Sequence, residues 1–222
     1  MKTQLTLTED GSHTLFVPEI DESYHSVHGA IQESRHIFIE AGLRQCAAPE
    51  IRVLEIGFGT GLNAFLALLE AEKGKKKIRY TTIERYPLDM EKVMQLNYAE
   101  QLNASKKADF EQMHTCEWNK GTAINEYFCI EKIKVDFTQY AGTELFDMCF
   151  FDAFSPEKQP EMWTEERFKM LFALAAADAV LTTYCAKGSV RRAMLAAGFE
   201  VERLQGPPGK REMLRSKKTL RH

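Results

Sequence analysis

The sequence has no long apolar run and no regular spacing of cysteines. Its five cysteines are odd in number, scattered and free of C-x-x-C spacing, which argues against a disulfide framework and against a structural zinc site. No stretch approaches the roughly 18 consecutive apolar residues of a membrane-spanning helix. The polar N-terminus, MKTQLTLTED, also lacks the apolar core of a secretory signal. These absences predict a cytoplasmic protein that neither binds a membrane nor holds a metal.

Charge is distributed unevenly along the chain. Residues 187–222 carry ten Lys and Arg against three Glu, whereas residues 1–186 carry 19 Lys and Arg against 29 Asp and Glu. A basic end on an acidic body is typical of a surface that contacts a polyanion, although a solvated tail shows the same composition. The bias therefore permits a nucleic acid as partner without identifying one.

Strand and helix patterns alternate through most of the chain. Strands are predicted at 51–56, 78–83, within 127–137, at 146–151 and at 179–184, and helices at 26–42, 62–72, 88–101, 164–177 and 189–197. Two final strands, 199–204 and 211–216, have a link too short for a crossover helix, so they must pair antiparallel. The resulting α/β fold, a mostly parallel twisted sheet flanked by helices and closed by a C-terminal hairpin, resembles the class I methyltransferase architecture.

A glycine-rich turn follows the first of these strands. The candidate ligand-binding residues in and around it are Glu55, Gly57, Phe58, Gly59, Gly61 and Asn63. Glycines let the backbone approach a ligand closely, and the following helix presents unpaired N–H groups. The turn also fits G-x-G-x-x-A, so NAD is an alternative ligand. Glu55 favours the cationic S-adenosylmethionine, because its carboxylate would repel a pyrophosphate.

Acidic residues also end the later strands. Glu84 lies 23 residues beyond Gly61, where its carboxylate can accept hydrogen bonds from both ribose hydroxyls of S-adenosylmethionine or NAD. Asp136 is placed to accept the adenine amino group, although an ordinary loop aspartate explains it equally well. Asp152 follows the apolar strand 146–151 at the ligand-binding edge of the sheet, with a turn or cap residue as the alternative. Phe154 nearby would either stack on a planar ring or pack in the core.

Five strings of sequence are together similar to the MnmC-type tRNA methyltransferase domain. They are DESYHSVHGAIQE at 21–33, LEIGFGTGLN at 54–63, FDAFSP at 151–156 with PEMWT at 160–164, YCAKGSVRR at 184–192 and GPPGKREML at 206–214. The glycine loop is generic to class I methyltransferases, but the other strings are distinctive in combination. The resemblance covers nearly the whole chain.

The resemblance implies methylation of 5-aminomethyl-2-thiouridine to 5-methylaminomethyl-2-thiouridine at the tRNA wobble position, with S-adenosylmethionine as cofactor. It implies a Rossmann-like domain over 46–222 and an N-terminal extension over 1–45, whose Tyr24, Ser26 and Glu33 contribute to the substrate pocket. Many members also carry a flavin-dependent oxidase domain, for which this chain has no room. We therefore expect a stand-alone form and a partner enzyme that makes the aminomethyl intermediate.

Asp152 is the expected catalytic residue, because a carboxylate can orient the acceptor amine and help it lose a proton. Phe154 would hold the target base once it has left the stack of the anticodon stem-loop. Contacts to phosphates are expected from the basic end, through Lys187, Arg191, Arg192, Lys210 and Arg211.

Three histidines, His25, His28 and His36, are interpreted as pocket or surface residues, because no complete metal-ligand set surrounds them. Three alternative functions stay open at the level of sequence. They are methylation of another amine or small molecule, NAD-dependent oxidation, and RNA binding without turnover.

Overall fold

The computed structural model describes residues 2–219, and its elements alternate largely as the sequence predicts. The strands are β1 (Gln4–Leu7), β2 (His13–Val17), β3 (Glu22–Ser23), β4 (Glu50–Ile56), β5 (Lys77–Glu84), β6 (Thr122–Ala123), β7 (Phe128–Lys134), β8 (Phe146–Phe151), β9 (Ala175–Thr183), β10 (Glu200–Gln205) and β11 (Glu212–Lys217). The α-helices are α1 (Ala30–Ser34), α2 (Leu62–Gly74), α3 (Met90–Val93), α4 (Tyr98–Leu102), α5 (Lys107–Thr115), α6 (Glu165–Leu174) and α7 (Gly188–Ala196). A π-helical turn spans Arg35–Glu40, and 3-10 turns span Leu43–Gln45, Ala104–Lys106, Phe137–Gln139 and Pro160–Trp163.

The main sheet has the strand order β10-β11-β9-β8-β4-β5-β7-β6. The five central strands, from β9 to β7 in that order, are parallel to one another. Strand β11 is antiparallel to both β9 and β10, and β6 is antiparallel to β7. The predicted α/β fold, mostly parallel with a C-terminal antiparallel hairpin, is confirmed.

Helices cover both faces of this sheet. Successive residues of β8 face opposite sides, so that Phe150 packs in the cluster with α2 and α5, whereas Phe151 packs in the cluster with α6 and α7. A strand buried on both faces needs apolar residues at successive positions, which is why residues 148–151 are all apolar; Asp147, near the start of the strand, is half-buried and paired with Arg52. Burying each of these rings contributes about 1.5–3 kcal/mol.

The N-terminal segment forms a small antiparallel sheet of β1, β2 and β3. The helix predicted from residue 26 begins only at Ala30, because Gly29 has a φ of 142° that no helix accommodates. After five residues it widens into the π-helical turn. Residues 24–28 therefore form bends and a turn instead of a helix, and they lie over the carboxyl ends of the central strands.

Two predicted helices are wrong in extent. The helix expected at 88–101 is divided into α3 and α4, because Asn97 between them binds the N-terminal sheet. His13 N donates to Asn97 Oδ1 at 2.9 Å, and Asn97 Nδ2 donates to the Gly11 carbonyl at 2.9 Å. The helix expected at 164–177 ends at Leu174, because Ala175 already pairs with Phe146 in the sheet.

Candidate functional site

A cavity of about 430 Å³ lies at the carboxyl edge of the parallel strands. Its wall is formed by residues that follow or end β4, β5, β7 and β8, namely 56–60, 83–86, 135–137 and 152–154. The opposite side comes from residues 22–28, Glu33, Gln159, Glu161, Met162, Tyr184 and Lys210. Segments from both ends of the chain therefore meet over the strand ends.

Two glycines let the loop after β4 pass close to neighbouring segments. Gly57 has a φ of 97°, and a Cβ there would lie 2.7 Å from the carbonyl oxygen of Asp152. Gly59 has a φ of 50°, and a Cβ there would lie 2.9 Å from Cδ1 of Tyr24. Side chains are strained at such φ values and would also collide with these neighbours. The loop therefore favours glycine at both positions, and most strongly at Gly57, where the neighbouring atom is backbone.

Glu84 ends β5 and holds the glycine loop through its carboxylate. Gly59 N donates to Oε2 at 3.0 Å, and Tyr86 N donates to Oε1 at 2.6 Å. Burial raises the pKa of Glu84, although these backbone donors oppose the rise. Each carboxylate oxygen has a second lone pair, so both oxygens can still accept a hydroxyl from a ligand in the cavity.

Asp152 follows β8 and faces the same cavity. Asn63, in the first turn of α2, donates from Nδ2 to Asp152 Oδ2 at 2.8 Å. Burial raises the pKa of Asp152 to about 7; the bond from Asn63 and the charge of Lys210 oppose this rise, and the charge of Glu33 adds to it. The carboxyl group is therefore close to half protonated at neutral pH, where a carboxylate is an effective proton acceptor.

Two aromatic rings border the cavity beside Asp152. The rings of Tyr24 and Phe154 meet edge to face, with centroids 5.1 Å apart. The backbone of Phe154 is fixed at both ends, since its N–H donates to Gln159 Oε1 at 3.1 Å and its carbonyl accepts from Trp163 Nε1 at 2.8 Å. A flat ring entering the cavity would meet aromatic surface here.

Lys210 reaches the cavity from the hairpin between β10 and β11. Its Nζ lies 2.5 Å from Glu33 Oε1 and 4.8 Å from the centroid of the Tyr184 ring. Glu33 Oε2 accepts from Ser26 N at 2.7 Å, and Tyr184 Oη donates to the Ala153 carbonyl at 2.9 Å. This chain of contacts joins the N-terminal segment, the hairpin and the loop after β8.

Carboxyl groups outnumber cations in the wall of the cavity. Of the described residues, its acidic members are Glu22, Glu33, Glu84, Asp136, Asp152 and Glu161, and its permanently cationic members are Arg85 and Lys210. Arg85 is itself paired with Asp136 at 2.7 Å. Burial would raise the pKa of Asp136, but the hydrogen bonds from Thr138 and the charge of Arg85 outweigh it and lower that pKa. The cavity is therefore suited to a cationic ligand rather than to a pyrophosphate.

Comparison with known proteins agrees with this geometry. A family model described as S-adenosyl-L-methionine-dependent methyltransferase matches residues 95–219, more than half of the chain. The chain belongs to this methyltransferase family. Its methyl donor is S-adenosylmethionine, and the NAD alternative is set aside.

Curated relatives share the name tRNA 5-methylaminomethyl-2-thiouridine biosynthesis bifunctional protein MnmC. The protein of Pseudoalteromonas translucida is 30% identical over 233 residues, which cover 92% of this chain and 34% of the relative. The protein of Aromatoleum aromaticum is 31% identical over 229 residues, which cover 96% of this chain and 35% of the relative. The methyltransferase thus spans about a third of the length of these relatives.

Solved structures show the same fold at lower identity. The MNMC2 structure from Aquifex aeolicus aligns with a TM-score of 0.75 at 23% identity, covering 97% of this chain and 70% of that one. Spermidine synthase from Thermotoga maritima aligns with a TM-score of 0.56 at 12% identity, covering 100% of this chain and 73% of that one.

Most residues singled out in the sequence are brought together in the methyltransferase. The cavity is lined by Tyr24, Ser26, Glu33, Gly57, Phe58, Gly59, Glu84, Asp136, Asp152, Phe154 and Lys210. It is not lined by Glu55, Gly61, Asn63, Lys187 or Arg211. The roles assigned to the lining residues stay predictions.

Glu55 does not face the ligand as expected. Its side chain is fully buried in the sheet, where Thr82 Oγ1 donates to Oε2 at 2.7 Å. Burial raises the pKa of Glu55 to about 8, opposed by Thr82 and reinforced by Asp152, so the group is mostly protonated at neutral pH. The expectation of a negative charge presented to a sulfonium is wrong for this residue.

Gly61 and Asn63 do not line the cavity and instead contact residues of the protein around it. A Cβ on Gly61 would lie 2.5 Å from Nε2 of His114, so its missing side chain makes room for protein rather than for ligand. Asn63 is buried and holds Asp152. Both were expected to contact the cofactor directly.

The basic residues are also arranged differently from expectation. Lys187 forms an ion pair with Glu157 outside the cavity. Lys210 is inside the cavity but is paired with a carboxylate, so its expected contact with a phosphate is not what the geometry favours.

Among the cavity residues, Glu22 and Tyr184 were not singled out in the sequence, whereas His25 was interpreted there as a pocket or surface residue. Glu22 accepts from Ser155 N and Oγ at 3.0 and 2.9 Å and so joins the N-terminal segment to the loop after β8. His25 Nε2 lies 2.8 Å from Thr60 Oγ1, and burial lowers the pKa of this imidazole to about 4, so it is neutral. Both residues, like Tyr184, lie within the strings that carry the family resemblance, which was the available signal.

The three histidines make separate contacts. His28 Nδ1 lies 3.0 Å from Glu9 Oε1, and His36 Nε2 lies 2.8 Å from the Gln205 carbonyl oxygen. Between residues 2 and 219, no group of three or more His, Cys, Asp or Glu side chains is placed to hold a metal ion. No helix within the same described range combines the length and apolar character needed to cross a membrane.

Proposed function

We propose that this methyltransferase transfers a methyl group to the primary amine of 5-aminomethyl-2-thiouridine at the wobble position of tRNA. The product would be 5-methylaminomethyl-2-thiouridine, the nucleoside in the name of the curated relatives. The observation that carries this assignment is the placement of Asp152, which is half-buried in the cavity wall, near neutrality in pKa and beside the aromatic pair. The aminomethyl group must come from another enzyme activity, since methyl transfer cannot generate it.

The residues of the glycine loop and the strand ends fit the methyl donor. S-adenosylmethionine supplies an electrophilic methyl group on a sulfonium. Gly57 and Gly59 would let the backbone approach it, Phe58 would pack against it, and Glu84 would accept its ribose hydroxyls. Asp136 would accept the adenine amino group through the second lone pair of Oδ2, which it would share with Arg85, since Oδ1 already accepts from Thr138 N and Oγ1.

Asp152 would activate and orient the acceptor. An aminomethyl group is mostly an ammonium at neutral pH and has no lone pair with which to attack. Because Asn63 holds Oδ2, we assign the amine to Oδ1, which would accept its hydrogen bond and its departing proton. Positioning supplies much of the rate in such reactions, and general-base assistance adds about 10²–10⁴-fold.

The remaining residues would hold the nucleotide. Phe154 and Tyr24 would contact the base after it leaves the anticodon stack. Ser26 and Glu33 would shape the wall behind it, with Lys210 neutralising Glu33. Lys187 and Arg211, with Arg191 and Arg192 near them in sequence, remain our proposed contacts to phosphates of the stem-loop.

A methylation assay tests this proposal. The full chain is incubated with labelled S-adenosylmethionine and tRNA from cells that stop at the aminomethyl stage, and the nucleosides are analysed by mass spectrometry. Wild type should convert the wobble nucleoside, and Asp152→Asn should slow the reaction about 10²–10⁴-fold. Asp178→Asn, an exposed position of β9 outside the cavity, is the matched control and should react normally. Label in any other product, or none in tRNA, would contradict the assignment.

A further inference from the structure

A second depression, of about 280 Å³, lies beside the main cavity. We call it the side groove. It is lined by residues 85–89 after β5, by Lys92 of α3, by Lys134 at the end of β7 and by Tyr24. Tyr24, Arg85 and Tyr86 line both spaces, so the side groove adjoins the main cavity.

The side groove has the chemistry of a nucleotide site. Tyr86 is an exposed aromatic, with 46% of its surface accessible, and the guanidinium carbon of Arg85 lies 4.9 Å from its ring centroid. Aromatic and guanidinium planes are the surfaces on which unpaired RNA bases stack. Lys134 is an exposed cation on the wall of the side groove, which Lys92 and Arg85 also line, and Arg85 is already paired with Asp136. A base and its phosphate would both find partners here.

Tyr24 connects the side groove to the acceptor end of the main cavity. One edge of its ring meets Phe154, beside which the target base is proposed to lie, and the residue also lines the side groove. A strand that delivers one base to Phe154 would therefore carry its neighbour toward Tyr86. The volume of about 280 Å³ is just below the usual range for ligand pockets, about 300–1,000 Å³, which suits one base rather than two.

We propose that the side groove binds the RNA nucleotide next to the methylated uridine, with its base on Tyr86 and its phosphate on Lys134. This inference rests on the proposed function, because it assumes that the acceptor is part of an RNA chain. It deepens that function by assigning recognition of the anticodon loop beyond the modified base. Sequence charge counts had pointed only to the C-terminal end of the chain.

Binding of an anticodon stem-loop RNA, measured by fluorescence anisotropy over a range of salt concentrations, tests the side groove. Lys134→Gln should weaken binding and reduce the slope of log K against log salt by about 0.7–0.9, the contribution of one phosphate. Lys77→Gln is the matched control, because Lys77 is exposed at the opposite end of β5, and it should leave both quantities unchanged. S-adenosylmethionine affinity should be unaffected by Lys134→Gln, since this residue does not line the main cavity.

The stacking role is tested with a second pair of variants. Tyr86→Ala should weaken RNA binding about tenfold, the loss of one stacked base, whereas Tyr86→Phe should retain it. If Lys134→Gln, Lys77→Gln and wild type bind the RNA with equal affinity and equal salt dependence, the side groove does not bind a nucleotide. If wild type then still methylates tRNA, only this inference fails; if wild type neither binds nor methylates tRNA, the proposed function fails with it.

Discussion

Replacing Glu55 by glutamine is expected to stabilise the protein, by an amount that grows with pH. The carboxyl group is fully buried, and the hydroxyl of Thr82 donates to Oε2 at 2.7 Å. Burial raises the pKa of Glu55 from 4.5 to about 8. Glutamine has nearly the same shape and keeps an oxygen for Thr82, but it has no charge to bury.

The sign of the effect follows from proton binding. Below about pH 4.5 both the folded and the unfolded chain hold the proton, so the full stability is present. Between pH 4.5 and 8 the folded protein keeps the proton that the unfolded chain has lost, so stability falls as pH rises. Each pH unit in this window lowers the free energy of unfolding by about 1.4 kcal/mol. From pH 5.5 to 7.5, Glu55 should therefore cost about 3 kcal/mol, or roughly 6–12 °C in Tm for a chain of this size.

Urea and thermal unfolding at the two pH values measure this effect directly. The stability of wild type relative to Glu55→Gln should drop by about 3 kcal/mol between pH 5.5 and 7.5. Glu117→Gln makes the same chemical change at a side chain that is 73% exposed, and its pH dependence should follow wild type. Parallel curves for Glu55→Gln and wild type would refute the reasoning and show that the buried group titrates normally.

Three further predictions concern the site. Gly57→Ala should lower the thermal stability more than Gly59→Ala does. The new Cβ meets backbone at Gly57, whereas at Gly59 it meets a side chain that can move. The left-handed φ at Gly59 then costs only about 1–2 kcal/mol. Methyl transfer should fall as pH drops through about 7, where Asp152 becomes protonated, and a pH–rate profile without this limb would remove Asp152 as proton acceptor. Lys210→Met should move this limb of the profile to higher pH, and Glu33→Gln should move it to lower pH. The reason is that Lys210 lowers the pKa of Asp152 and Glu33 raises it. Shifts in the same direction would contradict the placement of both charges near Asp152.

Sequence patterns predicted the central strands well because these strands are covered by helices on both faces of the sheet. Strand β8 was predicted at the residues where it occurs, since a strand covered on both faces is largely apolar, as residues 148–151 are. Helix α5 and strand β6 were not predicted: the helix buries only two residues, and the strand has two residues at the sheet edge. The break between α3 and α4 depends on Asn97 binding the N-terminal sheet, a long-range contact that no local pattern encodes.

The same limit applies to the acidic residues. Glu84 and Asp152 were located correctly at the cavity because each stands at or just beyond the last residue of its strand, where the side chain is free of the pleat. Glu55 lies one residue before the end of β4, on the face that also buries Val53. Alternation along the strand therefore directs it into the sheet. The number of residues between Glu55 and the glycines was therefore a poorer guide to its environment than the face of the strand on which it lies.

The donor and acceptor sides of the cavity have different origins in the chain. The donor side is formed by the ends of neighbouring strands β4, β5 and β7, which any sheet of this topology brings together. The acceptor side exists only where segments far apart in sequence meet, through Glu22 with Ser155 and Glu33 with Lys210. Asp152 lies between the two sides, and its pKa depends on charges from the acceptor side, Glu33 and Lys210. The ion pair of Glu33 with Lys210 therefore links the acceptor side of the cavity to Asp152, because these two charges act oppositely on a pKa that burial raises.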